Sequence, residues 1–321
     1  MSGISWSLWI CALFLSAVAG PSAVGVNDFQ ARSYKNAAGK ALPYRLFVPK
    51  NYQATKKYPL MLALHGGGER GTDNVSQLHW GFTTMWAEDS LQKDNPCFLL
   101  APQCPAGSEY WVVSATFGNY DLDKTPITWE LQSVLDIMDS LAKEFPIDAD
   151  RVYVSGMSRG GAGTWYLVSK FPERFAAAIP VAGGGDPKKA PLLTKLPIWA
   201  FHEADDPTVP VHYTRDLVDA IHAAGGTRIK YTEYPASLGL GHESWIAAGN
   251  TPELPKWLFQ QSRAAATVIS AQAPDRFKNG KEAFLDPSLP VLGLAADAMG
   301  RMRINNDHVY WLKTVPSNRV P

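Results

Sequence analysis

Short continuous apolar runs alternate along this chain with longer segments whose apolar residues recur every three or four positions. The run Pro59–Leu64 is apolar throughout, which is typical of a strand buried on both faces of a parallel sheet. Helical spacing is clearest in Thr128–Phe145, where Thr128 is a suitable N-cap and Glu130 places a negative charge in the first turn. The alternation predicts an α/β fold with a mainly parallel central sheet and helices on both of its faces.

The same patterns of apolar positions predict the remaining strands and helices. A hairpin region, Phe29–Pro49, turns near Gly39 and precedes the parallel part of the sheet. Further strands are expected at Cys97–Ala101, Val152–Val154, Phe175–Ala182, Pro197–Phe201 and Arg228–Tyr234. Further helices are expected over Val75–Gln92, from Ser158 to about Lys170, over Val211–Ala224 and over Pro252–Gln261. Pro105–Ile127 has no regular pattern, and a loop of this length is either part of a binding site or a surface excursion.

The two ends of the chain lack this alternation. Trp6–Ala19 is apolar but too short to cross a bilayer comfortably, and it ends in the small residues of a signal-peptidase site. Residues 1–19 are therefore expected to be a signal peptide, with an uncleaved anchor as the alternative, and the protein to be secreted or periplasmic. Residues 263–321 are expected to form a C-terminal extension, in which only Val309–Leu312 has a strand pattern.

Composition narrows the classes of partner. Apolar residues make up 46% of the chain and charged residues 19%, an ordinary balance for a globular domain. The 30 basic and 30 acidic residues cancel, so neither a nucleic acid nor a membrane is an expected partner. Cys97 and Cys104 flank a predicted strand that would hold them roughly 23 Å apart, at ~3.3 Å per residue. A disulfide needs Cα atoms within about 7 Å, so no bond between them is expected.

One stretch carries a chemical motif. Gly156–Gly160 reads G-x-S-x-G and lies between the Val152–Val154 strand and the helix that follows Ser158. In this arrangement a serine sits on a sharp strand-to-helix turn, with its hydroxyl above the edge of the sheet. The glycines are required because the turn brings backbone segments together where a Cβ would collide. Ser158 is therefore the candidate nucleophile.

A serine hydroxyl is a poor nucleophile at neutral pH and needs a base and a group that orients the base. In an enzyme of this layout the acid and then the histidine follow the serine, each on a loop after a strand. Asp205 and Asp206 follow the Pro197–Phe201 strand; Asp206, just before Pro207, is the preferred acid, and a helix cap is the alternative role of either. His242 lies in a glycine-flanked loop after the next strand and is the candidate base, an ordinary surface histidine being the alternative.

Donors for a developing oxyanion are expected at two places. One is the N–H of Arg159, the residue after the serine, and the other is the N–H of Gly67 in the loop His65–Gly71. His65 itself is expected to be a structural hydrogen-bonding residue beneath that loop. The Arg159 side chain either reaches the oxyanion or a substrate carboxylate, or faces solvent and contributes only its N–H.

Spacing argues against other chemistries. His202–Glu203 begins like the zinc motif H-E-x-x-H, but position 206 is Asp, so the second histidine ligand is missing. Gly183–Gly185 follows a strand without G-x-G-x-x-G spacing, and no P-loop sequence is present. We therefore expect neither a metal nor a cofactor.

Together these motifs resemble the secreted α/β-hydrolase esterases, and most closely the prolyl-oligopeptidase-like group of predicted peptidases. That group is related to feruloyl esterases, polyhydroxybutyrate-depolymerase-like enzymes and phospholipase/carboxylesterases. The resemblance rests on Leu64–Gly71, Ala101–Pro105, Arg151–Gly161, Phe171–Phe175, Trp199–Pro207 and Gly241–Trp245. The chain departs from many relatives at Arg159, where they have Met or Gln, and at Glu203, where they have Gly.

The resemblance implies that residues 27–262 form an α/β-hydrolase catalytic domain. The site residues that it implies are Ser158 as nucleophile, Asp206 as acid, His242 as base, and Gly67 and Arg159 as oxyanion donors. The implied activity is hydrolysis of acyl or aromatic (feruloyl-type) esters, on small molecules or on plant polysaccharide, through an acyl-enzyme. Two alternatives stay open: a serine peptidase of the prolyl-oligopeptidase type, and a non-catalytic binding protein on a hydrolase scaffold.

Overall fold

One eight-stranded sheet organises the fold. A computed structural model describes residues 24–108, 110–113 and 120–263, together with the backbone of 302–305 and 308–311. The chain divides into two compact units, Met1–Gln272 and Ala273–Pro321. The strands of the sheet are β1 (Phe29–Lys35), β2 (Ala41–Phe47), β3 (Tyr58–Leu64), β4 (Phe98–Pro102), β5 (Ile147–Met157), β6 (Ala177–Val181), β7 (Ile198–Glu203) and β8 (Ile229–Tyr234).

The strands lie in the order β1-β2-β4-β3-β5-β6-β7-β8. β1 pairs with β2, and β2 with β4, in antiparallel orientation, whereas all pairs from β4 to β8 are parallel. In the central pair, Leu62 of β3 lies opposite Val154 of β5, and Leu64 lies opposite Gly156. Because the parallel strands run in one direction, the loops that follow β3, β5, β7 and β8 meet at one edge of the sheet.

Helices cover both faces of the sheet. They are α1 (Gly81–Thr84), α2 (Asp89–Asp94), α3 (Trp129–Glu144), α4 (Arg159–Lys170), α5 (Ala190–Leu193), α6 (His212–Ala223), α7 (Trp245–Gly249) and α8 (Glu253–Phe259). Alternate residues of β3 point to opposite faces. Leu62 and Leu64 join the core that includes α3, α4 and α6, whereas Met61 and Ala63 join the core that includes α1, α7 and α8. All of β3 is buried, as expected of a strand covered on both sides.

Most predicted elements lie close to their observed bounds, but the helix predicted over Val75–Gln92 is wrong. That segment consists of 3-10 turns and the short helices α1 and α2, because Trp80 and Glu88 adopt extended conformations with ψ of 135° and 137°. The helix α7 was also missed. Its five residues are too few to show a helical period in the sequence.

The other unit contains an antiparallel strand pair, β9 (Met302–Asn305) and β10 (His308–Trp311), in which Val309 lies opposite Ile304. β10 overlaps the strand predicted at Val309–Leu312, whereas β9 was not predicted. The expected signal peptide lies outside the described residues, and the domain boundaries at 27, 262 and 263 stay predictions. No helix of the described residues is both long enough and apolar enough to cross a membrane.

Cys97 and Cys104 are buried free thiols. Burial raises the pKa of Cys97 to about 12 and also raises the pKa of Cys104 well above its ordinary value. Both side chains are therefore protonated at neutral pH and act as small apolar groups in the core.

Candidate active site

Ser158 lies between β5 and α4 at the carboxyl edge of the sheet. Its backbone has φ 55° and ψ −117°, a combination that costs a residue other than glycine on the order of 1–3 kcal/mol. Neighbouring glycines make the turn possible. A Cβ on Gly156 would lie 2.2 Å from the Gly160 carbonyl oxygen, and one on Gly160 would lie 2.0 Å from the Leu64 carbonyl oxygen. The Ser158 N–H also donates to the Val181 carbonyl oxygen at 2.9 Å, so the turn is held in place.

Two side chains from the loops after β7 and β8 meet at this serine. His242 Nε2 lies 2.8 Å from Ser158 Oγ, and His242 Nδ1 lies 2.8 Å from Asp206 Oδ2. Because the carboxylate accepts the Nδ1 proton, a neutral His242 has its free lone pair on Nε2, facing the serine hydroxyl. The arrangement is that of a nucleophile, a base and an acid that orients the base.

Asp206, rather than Asp205, is the aspartate that faces the histidine. Its side chain is buried, and its Oδ1 accepts hydrogen bonds from the N–H groups two and three residues further along the chain, at 2.8 and 2.9 Å. Burial alone would raise the pKa of Asp206, but hydrogen bonds from His202 and His242 lower it below its usual range. The carboxylate is therefore ionised at neutral pH. Asp205 is exposed.

A second histidine, His202, contacts the same carboxylate. It is completely buried near the end of β7. Its Nε2 lies 2.9 Å from the Val209 carbonyl oxygen and 3.2 Å from Asp206 Oδ2, and because both atoms are acceptors this nitrogen carries a proton. Its Nδ1 lies 2.7 Å from the hydroxyl of Thr214, a residue of α6. His202 and His242 thus contact the same carboxylate oxygen, and we interpret His202 as a residue that positions Asp206.

Replacing His202 by Leu removes a hydrogen bond to an ionised group, which contributes about 1.5–3 kcal/mol. If Asp206 serves in catalysis, we expect kcat on a small ester to fall between about tenfold and a hundredfold per active site, with KM unchanged. Active sites are counted by burst titration, because a merely unstable variant would lose titratable sites and keep its turnover per site. His212→Leu, at an exposed histidine of α6, is the control. Wild-type turnover per site in His202→Leu would rule out the positioning role.

The glycine-rich loop after β3 lies against the serine turn. A Cβ on Gly66 would lie 3.6 Å from Ser158 Cβ, and one on Gly67 would lie 3.6 Å from Arg159 Cγ. His65 holds this loop. Its Nε2 accepts a backbone N–H from the residue two beyond β4 at 2.9 Å, and its Nδ1 donates to the Gly66 carbonyl oxygen at 2.6 Å. Gly67 and Arg159, the two expected oxyanion donors, line the same cavity as Ser158.

We expect His65 to make the free energy of unfolding depend on pH. The side chain is completely buried, and burial lowers its pKa to about 4. An unfolded histidine has a pKa of about 6.5, so between these values the unfolded state binds more protons and stability falls as the pH falls. We expect His65 to contribute a slope of up to about 1.4 kcal/mol per pH unit in this window. Urea unfolding at a series of pH values measures this slope. In His65→Gln the contribution of His65 should be absent, and equal slopes in the variant and the wild type would contradict its origin in His65.

A cavity of about 310 Å³ opens onto the serine. Trp80 and Trp245 form one part of its wall, and the Trp245 ring also contacts the His242 ring at a centroid distance of 5.1 Å. Tyr110 and Arg159 form another part, with the guanidinium carbon 4.5 Å from the centre of the Tyr110 ring. Burial lowers the pKa of Arg159 from its ordinary value. The Arg159 side chain therefore packs along the cavity wall instead of extending into solvent.

Glu203, the other departure from the relatives, supports the loop that carries His242. It is completely buried, and its Oε1 accepts a hydrogen bond from the Leu240 N–H at 3.1 Å. Burial raises the pKa of this carboxyl group. The pair His202–Glu203 thus has structural partners, and no cluster of side chains suited to a metal ion occurs among the described residues. In the sequence, His202 and Glu203 directly follow the apolar residues of the Pro197–Phe201 strand. Two polar residues in that position could have indicated that both are buried and have hydrogen-bond partners.

Comparison with known proteins agrees with this fold. Residues 121–225 match the model of the prolyl oligopeptidase family. A solved thermostable esterase is 42% identical, with a TM-score of 0.70, and the match covers 74% of this chain and 64% of that chain. The chain has the α/β-hydrolase fold. The predicted fold class and the resemblance to α/β-hydrolase esterases are confirmed.

Two curated relatives of this chain are also esterases by name. A bifunctional acetylxylan esterase/xylanase of Neocallimastix patriciarum is 25% identical over 206 residues, which is 63% of this chain and 27% of that protein. A probable carboxylesterase of Arabidopsis thaliana is 26% identical over 229 residues, which is 64% of this chain and 80% of that protein. The chain spans less than two thirds of the acetylxylan esterase/xylanase and of the thermostable esterase, so their substrates do not by themselves define its own.

Proposed function

We propose that the protein is a serine carboxylic-ester hydrolase. The observation that carries the proposal is the pair of 2.8 Å contacts that join Ser158 Oγ to His242 and His242 to Asp206. The esterases among its relatives support the same activity. Export to the periplasm or the exterior, with residues 1–19 as the signal peptide, is part of the proposal.

In the proposed mechanism, Ser158 Oγ attacks the ester carbonyl carbon while His242 Nε2 takes its proton. The ionised Asp206 stabilises the imidazolium that forms and keeps Nε2 aimed at the reacting atoms. The tetrahedral intermediate breaks down when His242 gives the proton to the leaving alcohol, which leaves an acyl group on the serine. Water then attacks the acyl carbonyl with His242 as base, and the carboxylic acid is released.

The proposed oxyanion donors are the backbone N–H groups of Gly67 and Arg159. Arg159 is the first residue of α4, so its N–H belongs to the helix amides that precede the first intrahelical hydrogen bond. The absence of a Cβ on Gly67 lets its backbone approach a substrate carbonyl closely. Each such donor contributes about 10²- to 10³-fold to kcat in acyl transfer.

The proposed substrates are acyl or aromatic esters, including feruloyl-type esters, on small molecules or on plant polysaccharide. The 310 Å³ cavity is of the size that holds a small organic group, and its tryptophan and tyrosine rings suit an acyl or phenolic group. One relative is named for acetylxylan, which is an esterified polysaccharide. A second candidate, a serine peptidase, is favoured by the match of residues 121–225 to the prolyl oligopeptidase family.

A substrate panel separates these candidates. Wild type, Ser158→Ala and the control Ser155→Ala, a buried serine earlier on β5, are assayed on p-nitrophenyl acetate, methyl ferulate and a peptide p-nitroanilide. We expect the wild type and the control to hydrolyse the esters, and Ser158→Ala to be slower by about 10⁵-fold or more. Turnover of the anilide alone would support the peptidase. Failure of the wild type on all three substrates would support a binding protein. Equal ester turnover by wild type and Ser158→Ala would contradict the proposed mechanism.

A further inference from the structure

Three neighbouring cavities, the first of them at the active site, lie beside α1, α7 and α8. The cavity at Ser158 is followed by a second one of about 170 Å³, and both are lined by Trp80 and Trp245. A third cavity, of about 590 Å³, shares four lining residues with the second: Met85, Glu88, Gly249 and Asn250. Among the residues that the structure describes, neighbouring cavities thus share lining residues, and we call the row of three cavities the lateral groove. It extends well beyond the space that a small ester needs.

The end of the lateral groove next to the serine is aromatic. The Trp80 and Trp245 rings meet edge to face, with a centroid distance of 5.3 Å and an interplanar angle of 73°. The Trp80 Nε1–H donates to Glu69 Oε1 at 2.8 Å, which fixes the plane of the indole. Ile246, beside Trp245, is 41% exposed. Trp80 is partly exposed, and its fixed indole is a flat apolar surface of the kind on which the C–H face of a sugar ring packs.

The far end of the lateral groove combines polar and apolar side chains. Glu88 and Asn250 are exposed and line both outer cavities. Asn250 Nδ2 donates to the Ile246 carbonyl oxygen, which orients the amide and leaves its Oδ1 as an acceptor. The third cavity adds further polar groups and the apolar groups that lie among them: Asn95, Lys256, Gln260, Leu91 and Phe259. Carboxylate, amide and ammonium groups bind hydroxyls, and the apolar groups cover C–H faces.

Other chain-like ligands suit this lining less well. A long acyl chain would need a continuous apolar lining, which Glu88 and Lys256 interrupt, and burying charged groups against hydrocarbon is costly. A peptide that adds a strand would need a free sheet edge, whereas the described lining comes from helices and the turns between them. A chain of hydroxyl-rich rings satisfies both the polar and the apolar parts of the groove.

We propose that the lateral groove binds the carbohydrate chain of an esterified polysaccharide. The ester lies at Ser158, and the chain runs past Trp80 and Trp245 towards α8. This inference rests on the proposed esterase function. It adds the identity of the alcohol part of the ester, which is a sugar polymer instead of a small alcohol. Because the lateral groove begins at the cavity that Ser158 lines, chain binding contributes to kcat/KM by holding the ester in place.

The test compares acetylated xylo-oligosaccharides of increasing length with p-nitrophenyl acetate. For wild type we expect kcat/KM on the oligosaccharides to rise with length until the groove is filled. For Glu88→Ala/Asn250→Ala we expect kcat/KM on the longest oligosaccharide, divided by kcat/KM on p-nitrophenyl acetate, to fall by about fivefold for each hydrogen bond lost. Asp219→Ala, an exposed carboxylate on α6, is the matched control and should keep the wild-type ratio.

Two results would overturn the inference. One is a wild-type kcat/KM that does not change with oligosaccharide length, and the other is the same substrate ratio in the double variant as in Asp219→Ala. If the wild type hydrolyses p-nitrophenyl acetate and either result is obtained, the proposal for the groove is refuted and the esterase proposal stands. If the wild type hydrolyses neither the oligosaccharides nor p-nitrophenyl acetate, the esterase proposal on which the inference rests is refuted.

Discussion

Replacing Asp206 by Asn is expected to lower kcat on p-nitrophenyl acetate by about 10⁴-fold. The carboxylate accepts the Nδ1 proton of His242 at 2.8 Å and so keeps Nε2 free to receive the serine proton. An asparagine that presents its NH₂ group to Nδ1 would favour the opposite tautomer, in which Nε2 carries the proton and cannot act as a base. The change is isosteric, so the two backbone N–H groups that bind Oδ1 keep a partner.

Asp205→Asn is the matched control, because it makes the same chemical change one residue away. Asp205 is exposed, whereas the Asp206 side chain is buried between two histidines. We expect the control to retain kcat within about twofold, since surface changes away from such contacts have small effects. The two variants are compared at equal concentrations of folded protein, measured by circular dichroism. A larger loss in Asp205→Asn than in Asp206→Asn would refute the assignment of the acid.

Replacing Gly160 by Ala is expected to destabilise the fold by about 3 kcal/mol or more. A Cβ at this position would lie 2.0 Å from the Leu64 carbonyl oxygen and 2.7 Å from the His65 carbonyl oxygen. Both atoms belong to the backbone where β3 passes into the glycine-rich loop, so α4 or the loop has to move. The same displacement would separate the loop from the serine turn, and ester hydrolysis should be lost together with stability.

Gly81→Ala is the control for this prediction. Gly81 begins α1, and an added Cβ would meet no atom within 4 Å among the described residues. We expect its free energy of unfolding to stay within about 1 kcal/mol of wild type, with a small gain because alanine restricts the unfolded chain. Urea unfolding of the two variants measures the difference. Equal midpoints for Gly160→Ala and wild type would show that the turn tolerates a side chain.

The features that were predictable from the sequence depend on local patterns. The fully apolar β3 and the amphipathic α3 show their environment in their own residues, and the structure confirms both elements. Ser158 was identifiable because its turn demands glycines at fixed offsets. Asp206 and His242 followed from their positions after successive strands, and the structure brings all three side chains within hydrogen-bond distance, while their catalytic roles stay predictions.

The features that were not predictable depend on contacts between distant segments. His202 looked like part of an incomplete zinc motif, and its contact with Asp206 exists only because the chain after β7 folds back over the strand end. The break in the predicted Val75–Gln92 helix is of the same kind, since Trp80 leaves the helical conformation and its ring packs against Trp245. The lateral groove is assembled from residues far apart in the chain, so no local pattern could indicate it.

The central claim is that Ser158 Oγ is the atom that becomes acylated, and covalent labelling tests it most directly. A fluorophosphonate transfers its phosphonyl group to an activated serine oxygen, with loss of fluoride and of the hydroxyl proton. Peptide mass spectrometry then locates the label. We predict one phosphonyl group per chain, on Ser158 within the tryptic peptide Val152–Arg159, and loss of ester hydrolysis in proportion to labelling. Full labelling of Ser158 with activity retained, or loss of activity with the label on another residue, would contradict the account.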